Sequence, residues 1–138
     1  MNNPKEFSVR KRSYKTSQNL FKSFEYAFSG IKHNFIYTRN FRIQLFCGIF
    51  TLGLAFLLKC GINQFMILVP TIFSVLILEI VNTSIESIVD LIADKKFFKL
   101  AKVAKDCSAA SVLLASINSF FVALYIFLPK ISLLFFQS

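Results

Sequence analysis

The sequence predicts an all-α integral membrane protein, with three transmembrane helices preceded by an amphipathic helix on the membrane surface. Three observations carry that expectation. Of the 138 residues, 55% are hydrophobic, and mean hydropathy is +0.60, far too apolar for a soluble domain of this size. Apolar stretches recur three times, each close to or above the roughly 20 residues needed to cross the hydrocarbon core. Lys and Arg gather beside those stretches, nine of the sixteen before Ile43 and five between Lys95 and Lys105, which is how cytoplasmic loops are marked.

Residues 1–16 are polar and basic and read as a flexible tail lying near lipid headgroups. Residues 17–138 form a single membrane domain. At its start Leu20, Phe21, Phe24, Phe28, Ile31 and Phe35 recur at helical spacing opposite Lys22, Glu25, Ser29 and Lys32, which predicts an amphipathic surface helix over about 17–37. Ser17 is placed to N-cap it, and Gly30 marks an interruption or a close approach. The first span covers about 41–58, with Arg42 and Gln44 able to reach the interface. A short turn, Lys59-Cys60-Gly61-Ile62-Asn63, leads to a second span over about 65–93, which Pro70 is placed to bend. A Lys-rich connector, Asp94 to Lys105, precedes a third span over about 108–128. Counting positive charge puts the amino terminus and this connector in the cytoplasm, leaving only Lys59 and Lys130 outside.

The formal charge of +9 has no nucleic-acid recognition motif beside it, so it is read as a topology and headgroup signal, with no nucleic-acid partner. No uninterrupted apolar run with a small-residue cleavage site follows the basic tail, so no cleaved signal peptide is expected. Cys47, Cys60 and Cys107 lack disulfide or metal spacing and read as small packing residues. His33 has no companion ligand. With 18 Phe, 4 Tyr and no Trp, ring area is supplied mostly by a residue that forms no side-chain hydrogen bond, as lipid contact and helix packing allow.

Against this background the segment Glu79 to Asp90 stands out. At about 100° per residue, Glu79, Asn82, Glu86 and Asp90 fall within roughly an 80° arc of one helix face. A carboxylate at mid-bilayer depth costs at least about 2.5 kcal/mol, so this face should turn toward partner helices, cations or water. Beyond it, Lys95, Lys96, Lys99, Lys102, Lys105 and Asp106 lead into a helix expected to open at Ser108-Ala109-Ala110-Ser111. Ammonium groups and a helix N-terminus together favour a polyphosphate. Carboxylates nearby suit Mg²⁺, which takes few protein oxygens and fills its shell with phosphate and water, and another could accept the proton of a lipid hydroxyl. The same stripe also fits a catalytically silent membrane scaffold or a small ion-conducting helical bundle. Neither a GxxxxGK[ST] sequence nor a protein-kinase signature is present, so phosphoryl transfer would need another scaffold.

Two motifs together resemble a known family. Glu79-x-x-Asn82-Thr83-x-Ile85-Glu86-x-x-Val89-Asp90, followed by Ala104-Lys105-Asp106-x-x-Ala109-Ala110-x-Val112-Leu113, is similar to the small integral-membrane lipid kinases of bacteria, the prokaryotic diacylglycerol kinase and undecaprenol kinase family. Ser23-Phe24-x-Tyr26-Ala27-x-x-Gly30-Ile31 and Arg39-Asn40-Phe41-Arg42-Ile43 match its amino-terminal pattern, so the resemblance spans about Phe21 to Ala115. It implies a homotrimer in the bacterial cytoplasmic membrane, with sites between subunits near the inner surface. There ATP and Mg²⁺ would convert diacylglycerol to phosphatidic acid, or undecaprenol to undecaprenyl phosphate. Carried over, Glu79 would be the general base and Glu86 a metal ligand. Tyr26, Glu86, Lys105 and Asp106 would bind the nucleotide, with Asn82 and Asp90 in support.

The chain departs from the family at three places. Thr38 stands where well-studied members carry a second metal-binding Glu, Gln44 where many have His, and Phe98-Lys99 where many have His-Pro. The first change implies either a metal held by fewer protein oxygens, with phosphate and water filling in, or a weakened activity. The acceptor lipid is not written in the apolar side chains, although the Arg39 to Ile43 pattern resembles the branch outside the classical diacylglycerol enzymes.

Overall fold

The structure, a computed structural model, describes residues 20–94, 96 and 98–136. The basic tail and the expected Ser17 cap lie outside them. Four helices follow one another: α1 (Leu20–Tyr37), α2 (Arg39–Leu57), α3 (Ile62–Ala93) and α4 (Lys99–Phe136), with no strand among the described residues. The last three are long and apolar enough to cross a membrane. Only 17% of the most apolar window of each is buried within the chain, so lipid or further copies must cover the rest.

Between α1 and α2 the chain breaks for one residue, Thr38, whose backbone is extended and whose side chain caps nothing. Arg42 closes the break. Its Nη1 donates to the carbonyls of Phe35 (3.1 Å) and Ile36 (2.6 Å), so it caps the end of α1, where a cation meets the negative end of the helix dipole.

α2 ends in a Schellman motif. Lys59 is left-handed (φ 51°) and its N–H donates to Phe56 O, while Cys60 N–H donates to Ala55 O. Lys130, far along α4, adds Nζ at 3.3 Å to the carbonyls of both Leu58 and Lys59. α3 then starts at Ile62, three residues before the expected span, with Gln64 Oε1 accepting the Gly61 N–H at 2.9 Å. The helix runs through Pro70, which has no N–H to offer Met66 O, and ends where left-handed Asp94 (φ 44°) donates its N–H to Asp90 O. Its 32 residues measure about 48 Å, well beyond the hydrocarbon core.

α3 and α4 pack against each other most extensively, α2 lies against α3, and α1 touches α2 and α3. At Gly48 α2 and α3 pack so closely that a Cβ there would stand 2.7 Å from Ile72 Cγ2. The close approach expected at Gly30 is absent. α1 continues through Gly30, and nothing lies within 4 Å of where its Cβ would be. At the end bearing the α2–α3 turn, Ala55, Leu68, Ile126 and Phe127 form the buried apolar core.

The start of α4 also corrects the sequence reading. The helix begins at Lys99, with Lys102 N–H already bonded to Phe98 O, nine residues before Ser108. Lys99 to Lys105 contains no Gly or Pro and is composed mostly of strong helix formers, so charge there marks a membrane boundary without marking a helix end. The backbone amides of Ser108 to Ser111 are spent inside the helix, and the expected anion site on them does not exist.

Candidate active site

The carboxylates of α3 and the side chains that bond them lie toward the end opposite the apolar core. Glu79 projects from α3 into the packing and is 1% exposed. Gln44 on α2 meets it, Nε2 donating to Glu79 Oε2 at 3.1 Å, while Glu79 Oε1 accepts nothing from the described residues. The bond holds the carboxylate without bringing a formal charge near it. Gln44 Oε1, buried and without a partner, is left over.

One turn along α3, Asn82 Nδ2 donates to Glu86 Oε1 at 3.1 Å. The Asn82 carbonyl oxygen accepts the hydroxyl of Ser108 from α4, so Ser108, Asn82 and Glu86 form a chain between the two helices. Glu86 is half-buried, and its second oxygen accepts no bond from the described residues. Another turn on, Asp90 Oδ1 accepts from Lys105 Nζ at 2.8 Å. Here the acidic row of α3 meets the lysines of α4, in a cleft of about 350 Å³ lined by Asp90, Lys96, Lys102, Lys105 and Asp106 over Val89, Ala93, Phe98 and Ala101. Lys102 and Asp106 pair loosely at 3.9 Å, both exposed. Ammonium groups outnumber carboxylates on this wall, three to two, which favours an anionic ligand.

The structure therefore joins most of the residues singled out in the sequence. Glu79, Asn82, Glu86 and Asp90 follow one another along α3, and Lys105 and Asp106 face the last of them. Tyr26 is not drawn into this network. It is 55% exposed on α1 and makes no hydrogen bond to the others.

Two participants escaped the sequence reading. Gln44 was recognised only as an interfacial residue and a departure from His, and Ser108 only as the start of a helix. Ser108 had a signal: it lies three residues after Lys105, which on a continuous helix shares its face.

Among the described residues no three His, Cys, Asp or Glu side chains converge as a metal cage. The donor set fits a different kind of site. Glu86 offers one oxygen fixed by Asn82 and one unengaged, and Mg²⁺ commonly binds through one or two carboxylates with phosphate and water completing the shell.

Helices of membrane length, a carboxylate buried between them and a cleft with three lysines at one end mark a polytopic membrane protein. The chain belongs to the prokaryotic diacylglycerol kinase family, whose pattern matches residues 25–127. It is 40% identical over 123 residues to a diacylglycerol kinase of Synechocystis sp., covering 89% of this chain and 70% of that relative. Identity is also 40% over 112 residues to an undecaprenol kinase of Bacillus subtilis, covering 81% and 90%. A diacylglycerol kinase of Haemophilus influenzae is 30% identical over 104 residues, covering 74% and 87%.

Proposed function

We propose that the protein transfers the γ-phosphate of ATP to the primary hydroxyl of a membrane lipid. Family membership supports this reading, and one observation carries it to the site: an inward carboxylate, Glu79, lies on the same helix face that ends in the Asp90–Lys105 pair and its cleft. The cleft end faces the cytoplasm in this proposal, because the lysines of residues 96–105 lie there, and the membrane is the bacterial cytoplasmic membrane.

The chemistry follows from the side chains. A lipid hydroxyl approaching Glu79 Oε1 gives up its proton as its oxygen attacks the γ-phosphorus, and ADP leaves. Gln44 keeps Glu79 oriented through Oε2 during the transfer. Lys105, with Lys102 beside it, sets positive charge against the phosphates, and Asp106 and Asp90 position those ammonium groups. Glu86 would hold Mg²⁺, which when bound neutralises charge on the phosphate oxygens; with Thr38 in place of a second acid, protein oxygens are few there. Tyr26, on α1, would line the nucleotide pocket once ligand is present.

The assembly is a homotrimer in this proposal. Its support is the large apolar surface each span leaves uncovered and a site that one copy leaves open on its outer side. The acceptor is diacylglycerol or a polyprenol such as undecaprenol, both of which present a primary hydroxyl at the interface. Neither fold nor site favours the silent-scaffold or ion-conducting readings.

Purified protein incubated with Mg²⁺, γ-labelled ATP and each alcohol in turn should label at least one lipid. Absence of label from both, in protein that is helical and assembled, would remove the kinase reading.

A further inference from the structure

One hydroxyl breaks a pattern that every other donating Ser or Thr keeps. Ten Ser and Thr side chains donate hydrogen bonds among the described residues, and nine of them bond a backbone carbonyl three or four residues earlier in their own helix. That bond is the local, cheap solution for a hydroxyl in apolar surroundings. Ser108 alone leaves its helix, crossing from α4 to Asn82 Oδ1 on α3. Ser108 and Asn82 are both buried, 7% exposed each, where an unmade polar contact costs the most.

The crossing has a direction. The Ser108 hydroxyl donates to Asn82 Oδ1 while Asn82 Nδ2 donates to Glu86 Oε1, so the amide is held at both ends, between α4 and the carboxylate. Turned over, the amide would set its carbonyl oxygen against the Glu86 carboxylate, two acceptors without a proton between them. Glu86 is left with one oxygen tethered and the other free, on a side chain that otherwise has three rotatable bonds. We propose that Ser108 is a positioning residue for the Glu86 carboxylate, acting through Asn82, so that α4 sets the geometry of a divalent-cation ligand carried on α3. This rests on the reading above, in which Glu86 holds the metal that accompanies ATP. Partners one step behind a metal ligand typically change metal affinity about tenfold to a hundredfold when removed.

The test uses the full-length assembled protein with Mn²⁺ as a paramagnetic stand-in for Mg²⁺ and a non-hydrolysable ATP analogue. Free Mn²⁺ is read by electron paramagnetic resonance, and the Mg²⁺ dependence of lipid phosphorylation is measured in parallel. Ser108→Ala, and Ser108→Cys as a near-isosteric poor donor should alanine fail to assemble, are expected to weaken Mn²⁺ binding about tenfold or more. The Mg²⁺ concentration for half-maximal activity should rise by a similar factor, with a much smaller loss at saturating Mg²⁺. Ser108→Thr, which keeps the hydroxyl, should restore both. Unchanged Mn²⁺ affinity in the Ala and Cys variants beside normal wild-type binding would overturn this inference alone, as would losses that track only the fraction of protein assembled. Wild-type protein that neither binds Mn²⁺ with the analogue nor labels lipid would overturn the kinase reading and this inference with it.

Discussion

The two ends of the α3–α4 pair are built on different physics. At the end bearing the α2–α3 turn, Leu68, Ala55, Ile126 and Phe127 close over one another, and nearby backbone groups at the helix ends are met by Gln64 and Lys130. At the other end, Gln44, Glu79, Asn82, Glu86, Ser108, Asp90 and Lys105 meet through directional side-chain bonds that leave Gln44 Oε1 and one oxygen each of Glu79 and Glu86 without a partner among the described residues. Apolar packing is satisfied by shape alone, so the first end holds the helices together and asks little of chemistry. Hydrogen-bonded carboxylates in a membrane are costly, and their unspent acceptors are capacity for a ligand. In the proposed reading, fold and reaction therefore fall at opposite ends of the same two helices.

That division can be broken experimentally. The largest effect is expected from Glu79→Gln, which keeps the shape and still accepts the Gln44 amide, yet removes the proton acceptor. Phosphate transfer to lipid should fall about 10²-fold to 10⁴-fold with an assembly of wild-type size intact on size exclusion. Retained turnover would take the base role away from Glu79. Next comes Leu68→Ala at the apolar end, expected to cost about 2–5 kcal/mol, read as an earlier thermal unfolding in detergent, with transfer per assembled protein preserved. If instead it abolished transfer in assembled protein, the two ends would not be separable. A smaller and more selective effect belongs to Lys105→Ala. Its ion pair with Asp90 lies at an exposed surface, so stability should move by less than about 1 kcal/mol. The KM for ATP should rise about tenfold to a hundredfold, the worth of one charge-assisted hydrogen bond. An unchanged KM would place the nucleotide elsewhere.

The sequence made the carboxylate row legible because a helix has one period, and Glu79, Asn82, Glu86 and Asp90 obey it. Lys105 and Asp106 were legible for a second reason, their position beside a family-like motif. Ser108 and Gln44 were not, because their importance lies in which neighbour they reach, and neither carries a charge that composition would flag. The start of α4 is not legible in the lysines, because a helix tolerates them and continues past the apolar stretch. Gly30 and Gly48 look alike in the sequence, and only the crossing of α2 and α3 shows which one needs to lack a side chain.

What the amino-acid order determined by itself was the number of spans, the face of α3 that carries the acids and the end of the molecule where lysines accumulate. Each follows from local periodicity and from the cost of placing charge in hydrocarbon. The tertiary structure alone decided that Gln44 holds Glu79, that Ser108 reaches Asn82 and that Arg42 and Lys130 cap neighbouring helices. Those contacts depend on how far one helix is rotated and slid against the next. Helix periodicity fixes neither quantity, and they are settled only when the side chains of both surfaces are packed together.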